Sequence, residues 1–159
     1  MSARRWSAGL VILTFGLAFV GCSGGEGHYD YGFRSDDAVG TWESVNTIST
    51  ISLVLRDDGT FSAQGWPQVM NCDGEIPEFT RDSDDLWRTT IGYSGTWEVD
   101  GESAEYLVQF ISPGPECRSN WAAVAWTNAG QPADLKIYLD PLSPSDDATE
   151  DQYIYLCKK

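Results

Sequence analysis

The stretch from Val39 to Trp66, VGTWESVNTISTISLVLRDDGTFSAQGW, decides the fold. Ile51, Leu53 and Leu55 recur at every second position, and a period of two places them on one face of a β-strand. Asp58-Gly59 follows, the strongest short hairpin signal, and a second alternation runs from Phe61 to Trp66. The expected strands are 49–56 and 60–66. Pro67 ends the hairpin because it has no N–H to give to a ladder. An earlier strand spans 39–44, and Ser35-Asp36-Asp37-Ala38 predicts a single helical turn ahead of it.

The rest of the chain repeats this grammar of short strands and turn-rich, acidic loops. Further strands are expected at 91–99, 104–111, 121–127, 134–140 and 152–157. Gly95-Thr96-Trp97-Glu98 echoes Gly40-Thr41-Trp42-Glu43, which marks two equivalent strands entering one core rather than a repeat array. Residues 67–91 are the least regular, with a short helix expected between Glu78 and Arg88; an insertion of that length is usually functional or mobile. The fold class is therefore all-β, a small eight-stranded antiparallel up-and-down barrel or a closely related meander, with a β-sandwich as its rival. Closure into a barrel removes the bare edges that an open sheet must protect.

Composition sets the address. Arg4 and Arg5 precede an apolar run from Leu10 to Val20, and Gly21-Cys22 closes it, in the order of a secretory signal peptide. That run is far shorter than the roughly 20 residues a bilayer span needs. The whole chain carries −14, and −16 without Arg4 and Arg5, because every acidic residue follows the leader. Such a charge disfavours nucleic acid and anionic lipid head groups and favours solubility or a basic partner.

Cys22 aside, Cys72, Cys117 and Cys157 remain, an odd number that predicts one disulfide and one leftover thiol in an oxidising compartment. Cys72 and Cys117 sit in loops beside strands and are the favoured pair, with Cys157 as the alternative partner of either. No pair has metal or redox spacing.

The small residue before Cys22, with Ser23-Gly24-Gly25 after it, resembles the lipobox of bacterial lipoproteins. The resemblance implies that residues 1–21 are a lipoprotein signal peptide and that Cys22 becomes the lipidated (palmitate-bearing) N-terminus. Residues 22–35 then form a flexible linker and 36–159 a barrel domain. The protein would be extracytoplasmic and tethered to the bacterial cell membrane by its N-terminal lipid, at the outer membrane in a cell with two.

Ala38-Val39-Gly40-Thr41-Trp42 resembles the entry of a lipocalin-like barrel, where a helical turn precedes a Gly-X-Trp whose Trp plugs one end. The ordered set of Gly-Thr-Trp, Leu53-Val54-Leu55, Asp58-Gly59-Thr60-Phe61, the second Gly-Thr-Trp and a closing aromatic strand resembles small uncharacterised bacterial secreted proteins called lipocalin-like. It implies a fold and leaves the ligand open, since one barrel serves many functions.

Chemistry is sparsely signalled. The single histidine, His28, lies in the linker, so histidine-based nucleophilic or zinc sites are not expected. Glu43 and Glu98 each follow a core Trp and by alternation face outward, and the acidic loop 140–151 matches no EF-hand spacing. No enzyme, metal or cofactor is expected. The aromatic load is the remaining signal: Trp66 and Trp87 bracket the long loop, and Trp121 opposes Trp126 across one strand. Trp66, Trp87 and Trp121 are the candidate lining of a site for a small apolar molecule in the barrel mouth. The alternative is a filled barrel serving as a protein–protein interaction module of the cell envelope.

Overall fold

In the computed structural model, which describes residues 27–45, 47–71, 80–100, 107–113, 120–127, 132–139 and 148–159, the alternating segments pair as neighbours in chain order. After a two-residue strand β1 (His28–Tyr29) come β2 (Gly40–Val45), β3 (Ser52–Leu55), β4 (Thr60–Pro67), β5 (Thr90–Asp100), β6 (Leu107–Ile111), β7 (Asn120–Thr127), β8 (Asp134–Tyr138) and β9 (Tyr153–Lys158). Each of β2 to β9 is antiparallel to the next, and β9 returns to pair with β2 through Trp42↔Lys158 and Val45↔Tyr155. The result is a closed eight-stranded antiparallel barrel with β1 as one extra strand, compatible with a lipocalin-like fold.

The hairpin of the deciding stretch forms in register, with Leu53 opposite Ala63 and Leu55 opposite Phe61. Its turn is tied by Gly59 N–H donating to Arg56 O at 3.1 Å, and Gly59 takes the left-handed φ of +77° that a chiral residue resists. Thr60 N–H and Oγ1 both donate to Asp58 Oδ1, at 2.9 and 2.6 Å, and these bonds hold the Asp58 carboxyl below its ordinary pKa. Pro67 does not stop short of the sheet: it is the last paired residue of β4, opposite Thr90. The ladder to β5 slips between Ala63 and Trp66, where Gly65 has φ +72° and its backbone lies against Thr50 O. That slip is a β-bulge, and it re-aims Trp66 inward.

The helical turn predicted ahead of Gly40 is α1 (Ser35–Ala38), and α2 (Asp84–Trp87) is a single turn inside the region where a short helix was expected. One end of the barrel, the entry end, carries α1, the 56–59 turn and the C-terminus. The other, the loop end, carries the connections β2–β3, β4–β5, β6–β7 and β8–β9. At the entry end Trp42 is fully buried and its Nε1–H donates to Ala38 O at 2.8 Å, the plug expected of it. Lys158 completes the seal: its Nζ donates to Asp37 O at 2.7 Å while its stem crosses Gly40 so closely that a Cβ there would meet Cε at 2.8 Å.

The chain ahead of the barrel packs sooner than its composition implies. Asp30 N–H donates to Ala125 O at 3.0 Å, Tyr29 pairs with Trp126, and Phe33 is buried in the core. The leader, Cys22, Cys72, Cys117 and most of the acidic 140–151 loop lie outside the described residues.

Candidate functional site

Inward positions converge on one apolar cluster along the barrel axis. β3 and β4 supply Leu53, Leu55, Phe61 and Ala63, β5 supplies Tyr93 and Trp97, and β6 and β7 supply Val108, Phe110, Trp121, Ala123 and Ala125. Leu135, Ile137, Ile154 and Leu156 from β8 and β9 complete the wall.

Aromatic rings fill much of this interior, from Trp66 and Trp121 near the loop end to Phe61 beside the 56–59 turn. Trp66 stacks on Tyr93 with centroids 4.7 Å apart and meets Trp121 edge-on at 6.3 Å. Phe61 lies 5.0 Å from Tyr93 and 5.4 Å from Phe110. Such offset and edge-to-face pairs are the arrangements a ring quadrupole favours. Trp42, Leu53, Trp66, Leu86, Leu135 and Ile137 are each 0 % exposed.

The structure brings the three candidate tryptophans into this one cluster but gives them different bonds. Trp121 Nε1–H donates to Met70 O, and Trp87 Nε1–H to Arg81 O at 2.6 Å. The Trp121 bond clasps the long β4–β5 connection to the barrel, and the Trp87 bond closes that connection on itself. Met70, Leu86 and Trp87 are buried in the same core, and Arg81 N–H donates to Asp151 O at 2.6 Å, tying the β4–β5 and β8–β9 connections together. The described parts of the long loop thus lie across the barrel end where a mouth was expected. Trp66 differs: its Nε1 is buried and has no hydrogen-bond partner.

A second cluster, absent from the sequence reading, lies on the outer surface of β7, β8 and β9. Val124, Tyr138, Tyr153 and Tyr155 are buried there, with Tyr29, Val45, Leu107, Trp126 and Ala148 packed on them. In their midst Lys136 is only 5 % exposed, its Nζ 3.2 Å from the Trp126 ring centroid, 4.5 Å from Tyr153 and 5.3 Å from Tyr155. Ring faces replace part of the water a buried ammonium gives up. Burial also raises the Asp134 carboxyl to a pKa of about 6 and pushes the Tyr155 hydroxyl above its ordinary range. A clue did exist: Trp126, Lys136, Tyr153 and Tyr155 all fall on outward positions of adjacent strands, as the alternation around Trp121 and Ile137 requires.

Glu43 and Glu98 face outward as expected, with Glu43 accepting from Lys159 Nζ at 2.9 Å. Among the described residues no group of three or more His, Cys, Asp or Glu is placed to hold a metal ion, and no helix is long and apolar enough to cross a membrane. Cys157, on the outer face of β9, is not a free thiol. No family model, curated protein or solved structure matches this chain.

Proposed function

We propose that this protein is an extracytoplasmic lipoprotein, held to the membrane by an acylated Cys22, whose filled barrel acts as a non-catalytic interaction module of the cell envelope. The observation that carries this reading is the interior itself. Trp66, Tyr93, Phe61, Phe110 and Trp121 occupy the space a ligand would need, while Trp42 at one end and Met70, Leu86 and Trp87 at the other lie across the ways in. Contact with a partner then falls to the outer surface, through acidic loops or exposed apolar residues. Of the four large apolar side chains exposed among the described residues, Ile48, Val69 and Ile111 all belong to the loop end. An oxidising compartment suits the cysteines, with Cys157 as one end of a disulfide.

Native mass spectrometry of protein purified from its own envelope tests the filled barrel. The expected mass is that of the bare acylated chain, and a stoichiometric small molecule would overturn the reading. Radiolabelled fatty acid tests the anchor: labelling should vanish in Cys22→Ala, and unchanged labelling would end the lipoprotein assignment.

A second reading, a small apolar ligand held inside the barrel, is favoured by one observation. The buried Trp66 N–H has no acceptor, and burying an unsatisfied donor costs about 1–3 kcal/mol. A ligand carbonyl or ether oxygen would satisfy it, at the cost of moving Tyr93 or Trp121 aside.

A further inference from the structure

Tyr31 is the most exposed large apolar side chain among the described residues, at 57 %. It follows directly on the segment where Tyr29 pairs with Trp126, their rings 5.3 Å apart, and the chain from there to α1 borders a surface hollow of about 440 Å³. The hollow is lined by residues 31–36 and Val99, of which Phe33 is buried. Arg34 and Asp36 stand on its rim, both exposed and neither in an ion pair. Asp37 is spoken for, since its Oδ2 accepts from the Arg34 backbone N–H at 3.0 Å. The hollow therefore offers one cation, one anion and an amphipathic ring on a surface that faces solvent.

Its position gives these groups a common use. Six residue steps separate Cys22 from His28, and an extended chain spans at most about 20 Å over that distance. A lipid on Cys22 would hold the entry end, with this hollow, next to the bilayer and turn the loop end away. A chain carrying −16 is repelled by an anionic surface, whereas a zwitterionic head group has no net charge and presents both signs at close spacing. Tyrosine suits the boundary between head groups and acyl chains because its ring is apolar and its hydroxyl wet.

We propose, resting on the membrane tether inferred above, that this hollow docks the barrel onto the bilayer by taking up the head group of a zwitterionic phospholipid. Arg34 faces its phosphate, Asp36 its ammonium, and Tyr31 enters the boundary layer. The site need only be weak, because the tether makes encounter intramolecular and supplies a high effective concentration.

Cosedimentation of residues 22–159 carrying Cys22→Ala tests this without any acyl chain; that segment holds every described element of the fold. At millimolar lipid it should bind vesicles of phosphatidylethanolamine and phosphatidylcholine. Tyr31→Ser and Arg34→Glu should each lower the bound fraction about fivefold, and replacing a third of the lipid with phosphatidylglycerol should weaken binding. Arg88→Glu makes the same charge change at the loop end and should leave binding unaltered. Absence of binding to zwitterionic vesicles, equal binding by the Tyr31 and Arg34 variants, or tighter binding to anionic vesicles would each overturn the proposal. Unchanged fatty-acid labelling in Cys22→Ala would end the tether alone, since no acyl chain enters this experiment.

Discussion

At the residue scale, the tryptophans act as clasps. Trp42, Trp87, Trp97 and Trp121 each donate an indole N–H to a backbone carbonyl, of Ala38, Arg81, Arg56 and Met70; Trp42, Trp97 and Trp121 thereby secure a turn or loop to a strand, and Trp87 closes the long loop on itself. Trp42→Phe keeps most of the apolar area but leaves Ala38 O buried without its donor, and urea unfolding should show a loss of about 1–3 kcal/mol. Trp42→Ala should lose about 3–5 kcal/mol, the added cost being the cavity. Lys136 gives a different test, because its stem packs and its ammonium meets three rings. Lys136→Ala should destabilise by about 2–3 kcal/mol and Lys136→Met by less, the loss in Met reporting the ammonium's interactions and the difference between the two variants the packing of the stem.

Asp134 sets a pH dependence in the same outer cluster. Its folded pKa of about 6 stands above the ordinary 3.8, through burial. Between those values the folded chain keeps a proton that the unfolded chain releases, so this contribution is full below pH 3.8 and declines as pH rises through 6. Asp134→Asn abolishes the decline. Denaturant melts should show the variant more stable than the parent by about 1 kcal/mol at pH 7.5, a figure discounted for the group's half exposure, and equal to it at pH 3.5.

At the element scale, glycines separate two kinds of position along β5. A Cβ on Gly95 would lie 2.0 Å from Ile111 O, a backbone atom that cannot move without breaking the β5–β6 ladder, whereas one on Gly92 meets nothing closer than 3.5 Å. Thermal melts should find Gly95→Ala severely destabilising, by about 3 kcal/mol or more, and Gly92→Ala within about 0.5 kcal/mol of the parent. The eight barrel strands were legible because each carries its own period-two pattern with turn residues at its ends. β1 was not, since His28 and Tyr29 have no period and are held by β7, a partner distant in sequence. The same holds for the burial of Lys136. A lysine between Leu135 and Ile137 reads as solvated, and only the joining of three strands puts rings over it. The bulge at Gly65 was hidden too, because continuous alternation through Phe61 and Ala63 gives no sign of a slipped register before Trp66.

At the scale of the whole molecule, the closed wall, two covered ends and an acidic surface describe a body with little apolar area to spare among its described residues. Trp66 and Trp87 were legible as aromatic residues bracketing the long loop; that they join Trp121 in one core cluster was not, because a sequence shows aromatic content and not the volume left over. The oxidation state is a property of this scale. Alkylation of residues 22–159 carrying Cys22→Ala, denatured and unreduced, should leave Cys157 unlabelled and modify one of Cys72 and Cys117. A labelled Cys157, with Cys72 and Cys117 both protected, is the outcome the Cys72–Cys117 pairing requires.

The pairing of Trp42 with Lys158 sets a timetable as well as a shape. Without its last residues the chain is an open sheet, with β2 and β8 as bare edges and Trp42 lacking its cover. Contacts that span nearly the whole sequence form late and slowly in folding. A chain still emerging from a ribosome or threading through a membrane pore therefore cannot complete this structure. The barrel closes only when β9 is free to reach β2, so its last strand decides when and where it becomes a barrel.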